Sequence, residues 1–369
     1  MKVIISGGGT GGHIFPAIAI ADALKAKAPD TDIHFVGAAG KMEMELVPKA
    51  GYPITGLPVR GFQRKITLQN LTFPFKVISS LWQAYRMMKK FKPDVAVGVG
   101  GYASGPTLQV ANWMGIPFVL QEQNSYAGAT NRILGFKAHK IFVAYEHMDK
   151  FFPKDKILFT GNPIRGKIRN QDTKNRAESL QKLGLSASNK TVFIFGGSLG
   201  AKTLNEAIKK GLSEGIIPAN LNIIWQIGKI YWPEYSQLEI INQPNVKTFA
   251  FIDDMPLMYQ AADLVVCRAG ALTVSELALL GKPAILVPSP VVAEDHQTAN
   301  AMALVDKGAA VLVKDTDAGK NLVPAMIQLV HDDSKLSEVS SQIGFFAKPD
   351  AAIKIAEEIL KIGSSKVKS

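Results

Sequence analysis

The chain has 369 residues, 47% of them hydrophobic, and a formal net charge of +11. At roughly 100–200 residues per domain that length gives two domains, at most three, with ordinary globular cores. The single cysteine, Cys267, excludes an internal disulfide and fits a reducing compartment, and no apolar run approaches the ~18 residues that span a bilayer, so a soluble or peripheral protein is expected.

The N-terminal stretch MKVIISGGG is too short in apolar residues for a signal-peptide core and reads as a first strand, Val3 to Ser6. Gly7 to Gly12 is a glycine loop closed by His13, and Pro16 sits at the start of a helix running to about Lys27. Ile33 to Val36 is the second strand, Met42 to Ala50 a helix closed by Gly51, and Leu71 to Phe91 a long helical pattern. Val95 to Val97 is a strand, followed by the glycine-rich stretch from Gly98 to Gly105 and a helix to Met114. Phe118 to Gln121 is the next strand and ends in Glu122-Gln123-Asn124; Ile141 to Ala144 and Lys156 to Phe159 follow. The glycines come after the strands, where open α/β sheets bind ligands.

The stretch from Thr160 to Arg165 ends the first half, and the polar segment Lys167 to Ser188 holds the domain boundary. Thr191 to Phe195 restarts the pattern, with the turn Gly196-Gly197-Ser198-Leu199-Gly200-Ala201 and a helix to Lys210. Leu264 to Cys267 is a buried strand and Arg268-Ala269-Gly270 a turn; the helix Leu272 to Leu280, stopped by Gly281-Lys282-Pro283, leads into the strand Ala284 to Val287. Pro349 and Asp350 open a last amphipathic helix to about Ile362, and Ser364 to Ser369 is a polar tail. The fold class is α/β, two doubly wound domains in tandem.

The turn before Leu272 offers amides at the positive end of a helix dipole, which suits a diphosphate. Glu276 would repel a phosphate, but its carboxylate can accept two hydrogen bonds from a vicinal diol such as a ribose. Together they describe a nucleotide-sugar pocket; the alternative is a solvated Glu on an amphipathic helix. Gly7-x-Gly9-x-x-Gly12 matches the dinucleotide fingerprint, yet the second strand ends without the acidic residue that the fingerprint needs about 20 residues on. No nicotinamide or flavin is expected, and the loop is an anion site or a tight turn. His13 is a proton acceptor or a histidine packed at that turn. Ser198 and Arg165 could meet phosphate, or serve as a cap and a surface ion pair. Asp253-Asp254 reads as a helix cap, and six scattered histidines with one cysteine give no expected metal site.

From Val59 to Pro93 there are eight basic residues and no acidic one. A block of one sign implies an anionic partner, either nucleic acid or anionic lipid. In the same stretch Val77, Ile78, Leu81, Trp82 and Tyr85 recur at helical spacing, as core or as an interfacial stripe flanked by Arg86, Lys89 and Lys90.

Seven motifs in order carry a resemblance: GGTGGH (Gly8 to His13), GGYASGP (Gly100 to Pro106), EQN (Glu122 to Asn124), GNPIR (Gly161 to Arg165), GGSLGA (Gly196 to Ala201), FIDDM (Phe251 to Met255) and CRAGALTVSE (Cys267 to Glu276). Over nearly its whole length the chain resembles the MurG family of UDP-N-acetylglucosamine transferases, which make lipid II in peptidoglycan synthesis. The resemblance implies a GT-B fold, two Rossmann-like domains with parallel sheets facing a central cleft. Residues 1–163, joined by the terminal helix 350–363, would bind acceptor and membrane, and residues 164–345 would bind UDP-GlcNAc. It implies an inverting transfer of GlcNAc to the C4 hydroxyl of MurNAc in undecaprenyl-pyrophosphoryl-MurNAc-pentapeptide (lipid I to lipid II), with neither cofactor nor metal required for the chemistry.

Carried over residue by residue, the backbone of Ile252 would read uracil. Ala271, Leu272, Thr273, Val274, Ser275 and Glu276 would hold diphosphate and ribose, and Ser198 and Arg165 would serve the phosphates. Gln297, with its neighbour His296, and Asn124 would meet the sugar, while Thr10, Gly11 and Gly12 would face the acceptor diphosphate. Relatives with a Gln pair at His296-Gln297, and Gln at Leu199, leave only Gln297 carried over cleanly and Leu199 without a role. His13 is the candidate general base and Glu122 its rival. Ile78, Leu81, Trp82, Arg86, Lys89 and Lys90 would dock on an anionic membrane at the cytoplasmic face, with no nucleic acid as partner. Competing readings are another GT-B enzyme using UDP-GlcNAc, such as a 2-epimerase or a glycolipid synthase, and a non-enzymatic anion binder. The last would explain the charge but not Glu276 beside its turn.

Overall fold

The computed structural model describes residues 1–59, 73–169, 175–197, 199–292 and 295–365, without the side chains of 73, 74, 167, 169 and 365. The chain divides into two units, Met1–Arg165 with Lys348–Ser369, and Gly166–Ala347.

The first unit runs β1 (Lys2–Ser6), α1 (Gly11–Lys27), β2 (Asp32–Ala38), α2 (Glu43–Lys49), β3 (Ile54–Leu57), α3 (Phe73–Phe91), β4 (Val95–Gly98), α4 (Ser104–Trp113), β5 (Phe118–Glu122), α5 (Ala129–Gly135), β6 (Lys140–Val143) and β7 (Ile157–Phe159). Its sheet has the order β3-β2-β1-β4-β5-β6-β7, with parallel pairing. β4 and β5 are buried at every position because helices cover both faces. The two-residue period of a strand sorts their side chains. Ile4, Ala96 and Leu120 face Ala84 and Met88 of α3 and Leu108 of α4. Val3, Ile5, Val95 and Val97 face Ile14, Ile20 and Leu24 of α1.

The second unit runs α6 (Gly166–Arg169), α7 (Arg176–Leu183), β8 (Lys190–Phe195), α8 (Lys202–Ser213), β9 (Leu221–Gln226), α9 (Trp232–Tyr235), β10 (Val246–Phe249), α10 (Met255–Ala261), β11 (Leu264–Cys267), α11 (Ala271–Leu280), β12 (Ala284–Leu286), α12 (His296–Val305), β13 (Val311–Leu312), α13 (Ala318–His331) and α14 (Asp333–Gly344). Its sheet order is β10-β9-β8-β11-β12-β13, again parallel. A last helix, α15 (Ala351–Ser365), belongs to the first unit, where Ile355, Ala356 and Ile359 complete the core beneath α1. Among the described residues no helix is long and apolar enough to cross a membrane.

In each sheet the strand order reverses once, between β1 and β4 and between β8 and β11. The carboxyl ends of the strands at such a switch point are where open α/β sheets bind ligands. All four of these strands run into a glycine-bearing loop. One element starts earlier than its sequence suggests. α1 begins at Gly11, after an extended Thr10, so Pro16 lies inside the helix rather than at its start.

Candidate active site

At the first switch point the loops after β1 and β4 touch backbone to backbone. A Cβ on Gly101 would lie 2.3 Å from the Gly8 oxygen, and Gly101 has φ +89°, so the position requires glycine on both counts. The Gly9 amide donates to Glu43 Oε2 at 2.9 Å, and Glu43 Oε1 accepts from the Ala38 amide at 2.9 Å. Glu43 is fully buried. The fingerprint loop therefore carries its own resident anion, and the Gly9 amide is taken. Thr10 and Gly12 lie at the exposed rim, with Gly11 between them. Nothing in the sequence marked Glu43, one of two acids in the first turn of a short helix, which only tertiary closure brings under the loop.

His13 sits in the first turn of α1. Its Nδ1 lies 3.1 Å from the Gly8 oxygen and 3.5 Å from Thr10 Oγ1. A carbonyl oxygen can only accept, so Nδ1 carries the hydrogen and Nε2 is the basic nitrogen of the neutral ring. Gly100 makes room for that edge, since a Cβ there would stand 2.9 Å from Nε2.

Glu122, the rival base, is buried and bonded throughout. Oε1 accepts from the Asn124 amide at 3.1 Å and from Asn124 Nδ2 at 3.4 Å, and Oε2 from the Gly128 amide at 3.0 Å and Asn131 Nδ2 at 2.8 Å. These four bonds tie the loop from Asn124 to Gly128 to the end of β5 and the start of α5. Arg165 ends the first unit, with its guanidinium 4.0 Å over the Phe15 ring of α1.

In the second unit Gly270 is the N-cap of α11, and the positive end of that helix dipole suits a ligand's negative charge. Glu276 is 8% exposed, which removes the solvated-surface alternative. Its Oε2 accepts from the hydroxyl of the fully buried Tyr259 on α10 at 2.9 Å. Sequence reasoning missed Tyr259, which reads as one more apolar residue of α10. Asp254 caps α10, accepting from the Leu257 amide at 3.2 Å, as expected of the Asp pair. Ile252 lies buried in the loop between β10 and α10. Ala271 and Val274 are buried, Leu272 and Thr273 half-buried, and Ser275 spends its hydroxyl on the Ala271 carbonyl at 3.0 Å.

A cavity of about 640 Å³ opens at this switch point between the Gly196–Ala201 turn and the N-terminus of α11. It brings together Gly197, Gly270, Thr273 and Gln297, while Ile252 and Glu276 are not among its walls. Ser198 lies outside the described residues. Gln297, on the first turn of α12 after His296, accepts from the Ser289 amide at 2.9 Å and so directs its amide nitrogen as the donor end. Arg268 was read only as part of a turn. It donates to the carbonyls of Val287 at 3.1 Å and Pro288 at 3.2 Å and pairs with Asp315, which ties the β11 turn to the loop leading to Gln297.

On α3 the apolar stripe divides. Ile78 is 65% and Trp82 56% exposed, with Arg86 stacked 4.6 Å from the Trp82 ring and Lys89 and Lys90 exposed beyond it. Leu81 is half-buried and packs against the core. Arg60, Arg64 and Lys65 of the basic block lie outside the described residues.

Residues 3–143 match the glycosyltransferase family 28 N-terminal domain and residues 191–355 the glycosyltransferase family 28 C-terminal domain. A Bacteroides fragilis protein named UDP-N-acetylglucosamine--N-acetylmuramyl-(pentapeptide) pyrophosphoryl-undecaprenol N-acetylglucosamine transferase is 51% identical over 98% of this chain and 96% of its own. Its namesake in Porphyromonas gingivalis is 52% identical, with the same coverage of each. Among solved structures, Acinetobacter baumannii MurG matches with a TM-score of 0.75 at 32% identity, over 98% of this chain and 99% of that one. A Neisseria meningitidis UDP-GlcNAc 2-epimerase matches at 0.68 over 98% of this chain and 100% of that one, but at 16% identity, a likeness of fold alone.

Proposed function

This chain belongs to glycosyltransferase family 28, and from that premise we propose that it moves N-acetylglucosamine from UDP-GlcNAc to the C4 hydroxyl of the MurNAc unit of undecaprenyl-pyrophosphoryl-MurNAc-pentapeptide. It is a GT-B glycosyltransferase of cell-wall synthesis. The observation that carries the reading is half identity over 98% of the chain with enzymes named for that transfer. The two built switch points, one in each unit, support it.

In this reading the second unit holds the donor. The α11 N-terminus takes the diphosphate, Glu276 the ribose, the Ile252 backbone the uracil and Gln297 the sugar. From the first unit Thr10, Gly11 and Gly12 face the acceptor diphosphate, Asn124 meets the sugar with Gln297, and Arg165 serves the donor phosphates. The C4 hydroxyl attacks the anomeric carbon as the bond from that carbon to the UDP oxygen breaks, and the configuration inverts. The hydroxyl proton passes to His13 Nε2, and the charge on the departing UDP is met by helix dipole and guanidinium. The lipid acceptor brings the enzyme to an anionic membrane at the cytoplasmic face, where Ile78, Trp82, Arg86, Lys89 and Lys90 form the contact.

Incubation with labelled UDP-GlcNAc and a lipid I analogue should yield disaccharide and UDP, and neither product without the acceptor. UDP release without acceptor, or conversion of the donor sugar alone, would sink the reading in favour of an epimerase. In the same assay His13→Ala should lower kcat by ~10²–10⁴ with donor affinity little changed, the loss typical of a missing general base.

A further inference from the structure

The Gly8–Gly9 peptide group is held at both ends. Its N–H donates to Glu43 Oε2 at 2.9 Å, and its oxygen accepts from His13 Nδ1 at 3.1 Å. Carboxylate, amide, carbonyl and imidazole thus form one hydrogen-bonded line. The other Glu43 oxygen is anchored to the Ala38 amide at the end of β2, and the side chain has no exposure to water. We propose that Glu43 is a positioning residue for His13, acting through this peptide group to fix the ring tautomer and to stabilise the protonated ring. The proposal rests on the reading of His13 as base.

The physical reason is polarisation along a chain of hydrogen bonds. A carboxylate on the N–H side draws negative density onto the Gly8 oxygen, which makes that oxygen a stronger acceptor for Nδ1–H. When Nε2 takes a proton, the new positive charge finds a polarised carbonyl next to it and an anion one peptide behind. A buried carboxylate bonded directly to a catalytic imidazole does the same work in hydrolase triads; here a peptide unit lies between.

The surrounding glycines fit this arrangement and no larger residue would. A Cβ on Gly8 would stand 2.2 Å from Glu43 Oε1, and one on Gly37 would stand 2.5 Å from Glu43 Cγ. The neighbouring elements carry further charged or titratable groups: Glu45 pairs with Lys49 on α2, His34 of β2 bonds Thr55, and Lys27 of α1 pairs with Glu357 of α15. Arg165 lies over Phe15, Tyr102 follows the Gly100–Gly101 turn, Glu122 is committed to its own amides, and Asp22, Lys25 and Lys27 lie further along α1.

The test is an NMR titration of the His13 ring in the full-length protein, assigned by its loss in His13→Asn. Glu43→Gln should lower the His13 pKa by about one unit, since a nearby opposite charge favours the charged form, and should carry the acidic limb of the rate profile with it. Glu43→Asp keeps the charge and should stay within a few tenths of wild type. An unchanged His13 pKa in folded Glu43→Gln, or the same fall in both variants, would reduce Glu43 to a brace. Should Glu43→Gln fail to fold, the wild type decides: the Gly9 amide proton must titrate with the His13 pKa, and a resonance indifferent to it overturns the proposal. Neither readout needs turnover, so a His13→Ala enzyme that keeps its kcat would defeat the base assignment separately.

Discussion

Tyr259 is one of the groups that let the Glu276 carboxylate lie buried. Removing a buried charge from water is expensive unless hydrogen bonds replace the solvent, and the phenol supplies one of them at 2.9 Å. A ribose diol would supply others. Hydrogen bonds to a charged group are worth about 1.5–3 kcal/mol each, so Glu276→Ala should raise the donor KM roughly 10- to 100-fold or more. A 2′-deoxyribose donor should lose much less with the variant than with wild type, and equal losses would take Glu276 off the ribose. Tyr259→Phe should move KM in the same direction by less, by letting the carboxylate drift. The two acids differ in how they could be read. Glu276 followed a glycine turn on a helix, a position whose chemistry is local and therefore legible. Glu43 acts on an amide 34 residues away, and no local pattern records that.

The element scale shows the same division. Helix α3 was legible from its period, but not its rotation about its own axis. Leu81, Ala84 and Met88 turn to the core, while Ile78, Trp82 and Tyr85, nearly a turn apart from one another, turn out. Adjacent residues Leu81 and Trp82 therefore make opposite predictions. Trp82→Ser paired with Lys89→Glu should weaken sedimentation with anionic vesicles, and added salt should weaken it further, each basic residue near such a surface being worth ~1 kcal/mol. Leu81→Ala should leave vesicle binding alone and cost about 1–2.5 kcal/mol of stability, half the range for a fully buried leucine because Leu81 is half-buried. Vesicle binding that ignores Trp82 and Lys89 would leave the exposed face without a membrane role. Short strands were the hardest to read. β3 is four residues with a glycine inside, and it exists because β2 offers it an edge. β9 hides Asn222 and Gln226 among its apolar residues, and both find partners only once the sheet has formed, Asn222 on the Ser186 carbonyl at 2.8 Å and Gln226 on the Gly197 carbonyl at 3.1 Å.

For the whole molecule, two units with separate cores imply separate stabilities. The first borrows α15 from the far end of the chain; Ile355, Ala356 and Ile359 are fully buried there, and Lys27 pairs with Glu357. The second contains everything between Gly166 and Ala347. Cys267, the only cysteine, reports on that second unit, since it ends β11 and is fully buried. Burial, reinforced by the Glu276 charge, pushes its thiol up, so reaction with a thiol reagent needs the unit to open. Ending the chain at Ala347 should strip the cover from α1 and lower the stability of the first unit by several kcal/mol, given the apolar side chains lost. The rate of Cys267 labelling in mild urea should stay as in the full chain. UDP at about 100 times its Kd should slow that labelling about 100-fold in both forms, because a ligand that binds only the closed state reduces the open population by that factor. Faster labelling in the shortened chain would mean that the second unit depends on the first for its fold. Labelling indifferent to UDP would place the nucleotide away from the β11–α11 turn, and with it the assignment of Ala271 to Glu276.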